Sequence, residues 1–261
     1  MAETKMNVQL LAHTMITEKF AKSFALNEAE TELTDVGELF RNGATDGQAV
    51  ALSSIRTCYS ANKPSEIVAK EGAKYFGNNA SDGGSGTDAD RLFRQIVASK
   101  HTSTLEHLTF TFAIEGVSRA LLAQLTRHRV GFSFSVQSQR YVRMGSGDRS
   151  GGFDYVVPNE AKVGPAEFAF VSAMETLQKT YDDLRKAGVP AEDARAVLPQ
   201  AAATNLVMTV NLRALLDFYA KRRKGNGAQA EIADLAEALR RAVTEVEPWT
   251  AQFFEGVSAS V

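Results

Sequence analysis

Residues 108–114, LTFTFAI, alternate apolar and polar side chains over the length of a strand, whereas the long apolar patterns beyond residue 165 repeat at helical spacing. A half-buried strand beside a mostly helical C-terminal half predicts an α+β fold rather than a doubly wound sheet. No GxGxxG follows a strand, so a Rossmann site is not indicated.

The same reading places helices over DADRLFRQIVASK, with Leu92, Ile96 and Val97 as its apolar positions, and over GVSRALLAQLTRHR, 116–129. PAEFAFVSAMETLQKTYDDLRKAG is helical and ends at Gly188, and AEDARAVLPQ begins a segment that Pro199 interrupts. Helical patterns continue through 205–223 and IADLAEALRRAVTEVEPW, separated by the break KGNG. The small and polar runs 77–88 and 145–152 read as surface loops. There is no internal repeat, and 261 residues suit a single domain spanning 1–261. The chain has no signal-peptide h-region and no apolar run approaching the roughly 20 residues that span a bilayer, so no membrane partner is expected and a cytoplasmic protein is. Its one cysteine, Cys58, cannot form an internal disulfide, lies far in sequence from the basic cluster, and reads as a buried thiol.

Chemistry concentrates in RHRVGFSFSVQSQRYVR, 127–143. From Gly116 to Gly147 there is no Asp, Glu or Lys, yet Arg119, Arg127, Arg129, Arg140 and Arg143 are present. A planar guanidinium grips phosphate or carboxylate through two parallel hydrogen bonds, and lysine cannot. With serines at 133, 135 and 138 as neutral donors, the mixture suits a concave site for a small phosphorylated ligand. Arg127, His128 and Arg129 are equally suited to the negative end of a helix, but that leaves Arg140 and Arg143 unexplained. Phe132, Phe134 and Tyr141 beside arginines also fit a single-stranded nucleic-acid-binding module, which the formal net charge of −2 disfavours.

His101, Glu106 and His107 lack the HExxH spacing and have no nearby cysteine, so no metal is expected. In TVNLRALLDFYAKRR, polar Asn211, Arg213, Asp217 and Arg222 interrupt an apolar helical pattern; a continuous helix would put Asn211 and Arg222 on nearly one face, about 16 Å apart. A solvated polar edge explains these positions as well. Ser138 has no histidine or acid at a spacing that would activate it, so it reads as a phosphate donor rather than a nucleophile.

HTSTLEHLTFTF, QLTRHR followed by SQRY, ARAVLP, TVNLRALLDF with an arginine beyond it, and AQAEI occur in this order. Together they resemble the flavin-dependent thymidylate synthases, from about SSIRTCYS to PWTAQFF. The resemblance implies a central, mostly antiparallel sheet flanked by helices. It implies an enzyme, a methyltransferase making dTMP from dUMP with methylenetetrahydrofolate as carbon donor and FAD, reduced by NADPH, as hydride source. Carried over by position, His101, Ser103, Arg127, His128, Arg129, Asn211, Arg213 and Asp217 would contact FAD. Gln124, Arg127, Val136, Gln137, Ser138, Gln139, Arg140, Arg195 and Arg222 would hold dUMP, with Arg222 facing the uracil as the catalytic cation and Arg223 the fallback. Homotetramer sites are shared between subunits in the family, so Arg195 would reach a neighbour's nucleotide. A relative that methylates or hydroxymethylates another pyrimidine nucleotide is the alternative within the same resemblance.

Two departures stand out. The spacing from Arg129 to Ser138 is one residue longer than the family's, with the extra residue at Val130 and Gly131. Asp217 places an acid where the family has a neutral or basic residue, and Arg213, one turn earlier, is positioned to screen it.

Overall fold

The computed structural model describes residues 1–27 and 29–255. Along the chain come β1 (Asn7–His13), α1 (Glu18–Ala25), α2 (Asp35–Arg41), α3 (Asp46–Thr57), α4 (Ile67–Gly77), α5 (Asp88–Ala98), β2 (Thr109–Ser118) and α6 (Arg119–Leu125). They are followed by β3 (Phe132–Val136), α7 (Pro165–Lys186), α8 (Ala191–Ala194), β4 (Ala203–Asn211), α9 (Leu212–Arg222), α10 (Ala230–Val246) and α11 (Ala251–Glu255).

The strands form one sheet in the order β1-β2-β4-β3. Thr14 N donates to Thr109 O, and Leu212 N donates to Leu108 O, while the Thr111 and Thr209 hydroxyls meet at 2.9 Å; partner numbers fall as β2 rises, the mark of antiparallel pairing. Phe110, Phe112 and Ile114 of β2 are buried, as the alternation of 108–114 predicts. The helical reading of 205–223 is corrected: its first part is β4, with Thr204, Leu206, Met208 and Val210 buried, and the helix starts at Leu212. LVM inside that run satisfies both periods, and the β-branched residues around it fit the pleat.

The chain divides into two compact units. One comprises residues 1–11, 111–209 and 221–239, and the other 12–110, 210–220 and 240 onward. In the first, α7 packs Met174 and Tyr181 against Met144, Phe153, Tyr155 and Val157. Buried Gln178 of α7 donates to Met144 O and accepts from Phe153 N, both at 2.9 Å, tying down the turns of 145–152.

In the second unit, buried Glu247 accepts from Gly47 N at 3.1 Å, from Trp249 Nε1 at 2.6 Å and from the Thr45 hydroxyl, so it covers the N-terminus of α3 beside the Thr45–Gln48 capping box. Burial pushes the Glu247 carboxyl up despite these donors. At the start of α5, Asp88 accepts from Ser81 N (3.0 Å), Ser81 Oγ (2.8 Å) and Arg91 Nε (2.9 Å), which hold its pKa down to about 2. α5 ends with Lys100 at φ 60°, donating N–H to Val97 O, and His101 donating to Ile96 O, both at 3.1 Å. This is a Schellman closure with lysine where glycine is usual. Among the described residues no helix is long and apolar enough to cross a membrane.

Candidate active site

All residues expected to hold the nucleotide fall in the first unit. β2 ends where Ser118 caps α6, its hydroxyl accepting from Leu121 N, while Ser118 N and Oγ donate to the Glu231 carboxylate at 2.7 and 2.6 Å. The expected helix over 116–129 is therefore shorter: residues 116–118 belong to β2, and Arg127, His128 and Arg129 leave α6 in a turn after the Thr126 cap. This places two exposed guanidiniums just past a helix C-terminus, free to meet a ligand. Gln124, inside α6, is fixed by donation to Gln229 Oε1.

Beyond the turn, Val130 is 89% exposed and Gly131 takes φ 76°, a left-handed backbone that glycine adopts without a Cβ penalty. β3 then alternates, with Phe132 and Phe134 stacked on one face at 5.8 Å and Ser133 and Ser135 exposed on the other. Val136 is half-buried at the end of β3, and Gln137 N donates to Asn205 O at 2.9 Å. The Ser138 hydroxyl oxygen accepts from Arg140 N at 3.2 Å, leaving its O–H to donate elsewhere. Gln139 is 7% exposed, and its buried Nε2 has no protein acceptor, an unpaired donor in the middle of the candidate nucleotide residues.

Glu192 brings two of the arginines together. Its carboxylate pairs with Arg140 Nε at 2.8 Å, and its carbonyl accepts from Arg195 Nε at 3.0 Å. Burial, with the charge of Arg195 second, lowers the pKa of Arg119. Arg222 donates Nε–H to His128 Nε2 at 3.2 Å, joining the end of α9 to the RHR turn. That bond uses a deprotonated ring nitrogen, so it belongs to a neutral His128 imidazole. Arg223, the neighbour in register, has a buried Nε with no hydrogen-bond partner.

The remaining flavin candidates fall in the second unit. His101 and Ser103 line a cavity of about 580 Å³ with Ser53, Cys58, Thr104 and His107. Arg213 pairs with Glu106 at 2.5 Å, both half-exposed. Asn211 closes β4 and turns its Oδ1 onto Ala214 N at 2.9 Å as the cap of α9, so it is not a member of a continuous helical face with Arg222. Asp217 is exposed on α9, and Arg213 is engaged by Glu106 rather than standing as its screen. The buried-thiol reading of Cys58 is also corrected: the residue caps α3 and is exposed, because the helix ends there and the chain turns away through Tyr59 and Ser60.

Two residues in these networks escape sequence reasoning and carry no signal in the sequence: Glu192, and Tyr59, whose hydroxyl lies 2.9 Å from His101 Nδ1. Glu106 was visible in HTSTLEH as an acid flanked by histidines, weighed there for a metal rather than as the partner of Arg213.

The family described as thymidylate synthase complementing protein matches residues 42–249. A flavin-dependent thymidylate synthase of Geobacter sulfurreducens is 39% identical over 204 residues, covering 78% of this chain and 80% of that protein. One from Nitratidesulfovibrio vulgaris is 46% identical over 162 residues, covering 59% and 63%. Thymidylate synthase X of Helicobacter pylori, solved with FAD and dUMP, superposes with a TM-score of 0.61 at 25% identity, covering 98% of this chain and all of that one (100%). The UMP/dUMP methylase PolB of Streptomyces cacaoi, bound to 5-Br dUMP, gives a TM-score of 0.65 at 22% identity over 97% and 96%, a likeness of fold. Family, relatives and fold agree, and the chain belongs to the flavin-dependent thymidylate synthases.

Proposed function

We propose that this enzyme methylates dUMP to dTMP in the cytoplasm, taking its carbon from methylenetetrahydrofolate and its reducing equivalents from NADPH through FAD, as a homotetramer in which Arg195 serves a neighbouring subunit's nucleotide. The observation that carries the reading is that Arg127 and Arg140, from a stretch without acids, belong to one compact unit with Arg195 and Arg222. Gln139 Nε2, buried without an acceptor, is the kind of donor a pyrimidine carbonyl or phosphate oxygen satisfies.

The donor set fits a flavin dinucleotide. Arg127 and Arg129 lie exposed beyond α6, and Arg213 is held only by an exposed pair with Glu106, worth about 0–1 kcal/mol and readily exchanged for a phosphate. His101, Ser103, Arg127, His128, Arg129, Asn211, Arg213 and Asp217 would contact the cofactor. When bound, FAD supplies the hydride that completes the methyl group.

Arg222 acts on the base. A permanent cation facing the uracil favours the form ionised at N3, which raises electron density at C5 for attack on the carbon donor. The bond to His128 engages Arg222 Nε and not the two Nη groups, leaving the fork for the pyrimidine. Arg140 would exchange Glu192 for the nucleotide phosphate, beside Ser138 as a neutral donor, while Gln124, Val136 and Gln137 shape the rest of the pocket.

The test is release of tritium from C5-labelled dUMP by FAD-loaded protein supplied with NADPH and methylenetetrahydrofolate, run in parallel with labelled dCMP. Release from dUMP alone is expected. Colourless protein that takes up no flavin, or release from dCMP only, would end the reading.

A further inference from the structure

Tyr59 is a large aromatic side chain left 60% exposed in the turn after α3, and its hydroxyl sits 2.9 Å from Nδ1 of His101. The two rings meet edge to face, with centroids 6.0 Å apart and planes at 86°. Such a contact fixes both which ring nitrogen is engaged and the plane of the imidazole. Turned over, the ring would present carbon to the Tyr59 oxygen and lose the bond.

The backbone around His101 is equally constrained. Its N–H donates to Ile96 O at 3.1 Å, and its carbonyl accepts from Thr104 Oγ1 at 3.1 Å. The preceding Lys100 holds φ 60°, which a residue with a Cβ adopts only under restraint from its surroundings. On the other side, Tyr59 N and Ser60 N both donate to Arg56 O, at 2.9 and 2.7 Å, so the tyrosine leaves a closed turn. Two separately pinned segments therefore bring one hydroxyl to one imidazole at the edge of the cavity that Ser103 and Cys58 also line.

We infer that Tyr59 is a positioning residue for the family's reaction: through Nδ1 it holds the His101 ring so that Nε2 is presented in one orientation to the flavin and the co-substrate that meets it. This rests on the proposed placement of His101 beside the flavin. Tyr59 acts through His101 and need not touch a ligand. A decorative surface pair would share the geometry but leave catalysis indifferent to the hydroxyl.

The experiment uses full-length, FAD-loaded enzyme as wild type, Tyr59→Phe and His101→Gln. Flavin reduction by NADPH is followed in stopped flow, kcat and the dUMP KM by tritium release, and the histidine tautomers by long-range 15N–1H spectra of 15N-histidine-labelled holoenzyme. With four histidines in the chain, the signal missing from His101→Gln identifies His101. Expected for Tyr59→Phe are retained FAD, a dUMP KM within about twofold, and a loss of about tenfold in the reduction rate or kcat, the size of one hydrogen bond. The His101 signal should shift at Nδ1 as its hydrogen bond is lost. Wild-type rates and an unmoved signal in Tyr59→Phe, alongside an impaired His101→Gln, would overturn the role of Tyr59 alone. A His101→Gln enzyme as fast as wild type would remove the premise, and a wild type that retains no FAD would remove the functional reading beneath both.

Discussion

Arg222 and Ser138 test different halves of the proposed nucleotide site. If Arg222 stabilises the ionised pyrimidine only as charge develops, Arg222→Ala should lower turnover by about 10²–10³ while flavin absorbance and FAD retention stay unchanged. Ser138, whose oxygen already accepts from Arg140 N, has one O–H to give. Ser138→Ala should weaken dUMP binding by about two- to tenfold in equilibrium titration, with kcat little altered. Loss of turnover at unchanged dUMP affinity would instead make the serine part of the chemistry. At this scale the sequence was informative where a residue type was unusual in its surroundings, as with five arginines and no acid between Gly116 and Gly147. It was silent on Glu192 and Tyr59, because an acid in a polar helix start and a tyrosine after a cysteine are ordinary until folding supplies their partners.

Among the elements, α5 carries opposite features at its two ends. Asp88 at the N-terminus is depressed to about 2 by the donors of Ser81 and by Arg91, so its contribution is present above the unfolded carboxylate value and lost as pH falls toward about 2. Asp88→Asn should be less stable than wild type in denaturant titrations at pH 7, and the gap should close between about pH 4 and pH 2. Lys100 at the C-terminus holds a left-handed backbone, and Lys100→Gly should raise stability by about 0.5–1 kcal/mol, the relieved strain less the added freedom of the unfolded chain. The helix itself was legible from Leu92, Ile96 and Val97, whereas β4 was not. Leu206, Met208 and Val210 alternate as a strand, but Val207 between them completes a run that also suits a helix, and pairing with β2 decided it.

For the molecule as a whole, an acid-free basic stretch within a chain of net charge −2 argues for local anion capture over long-range attraction. Single-stranded oligonucleotides should bind no tighter than about 10⁻⁶–10⁻⁴ M at physiological salt by fluorescence anisotropy, and nanomolar binding would contradict this. No Pro- or Gly-rich linker announces the division into two units, because each is assembled from three separated stretches. That interleaving bears on how the protein comes off the ribosome. Residues 221–239 complete the first unit and residues from 240 on complete the second, so the first lacks a part until residue 239 has been made and the second until later still. A truncated transcript would yield no usable piece of either.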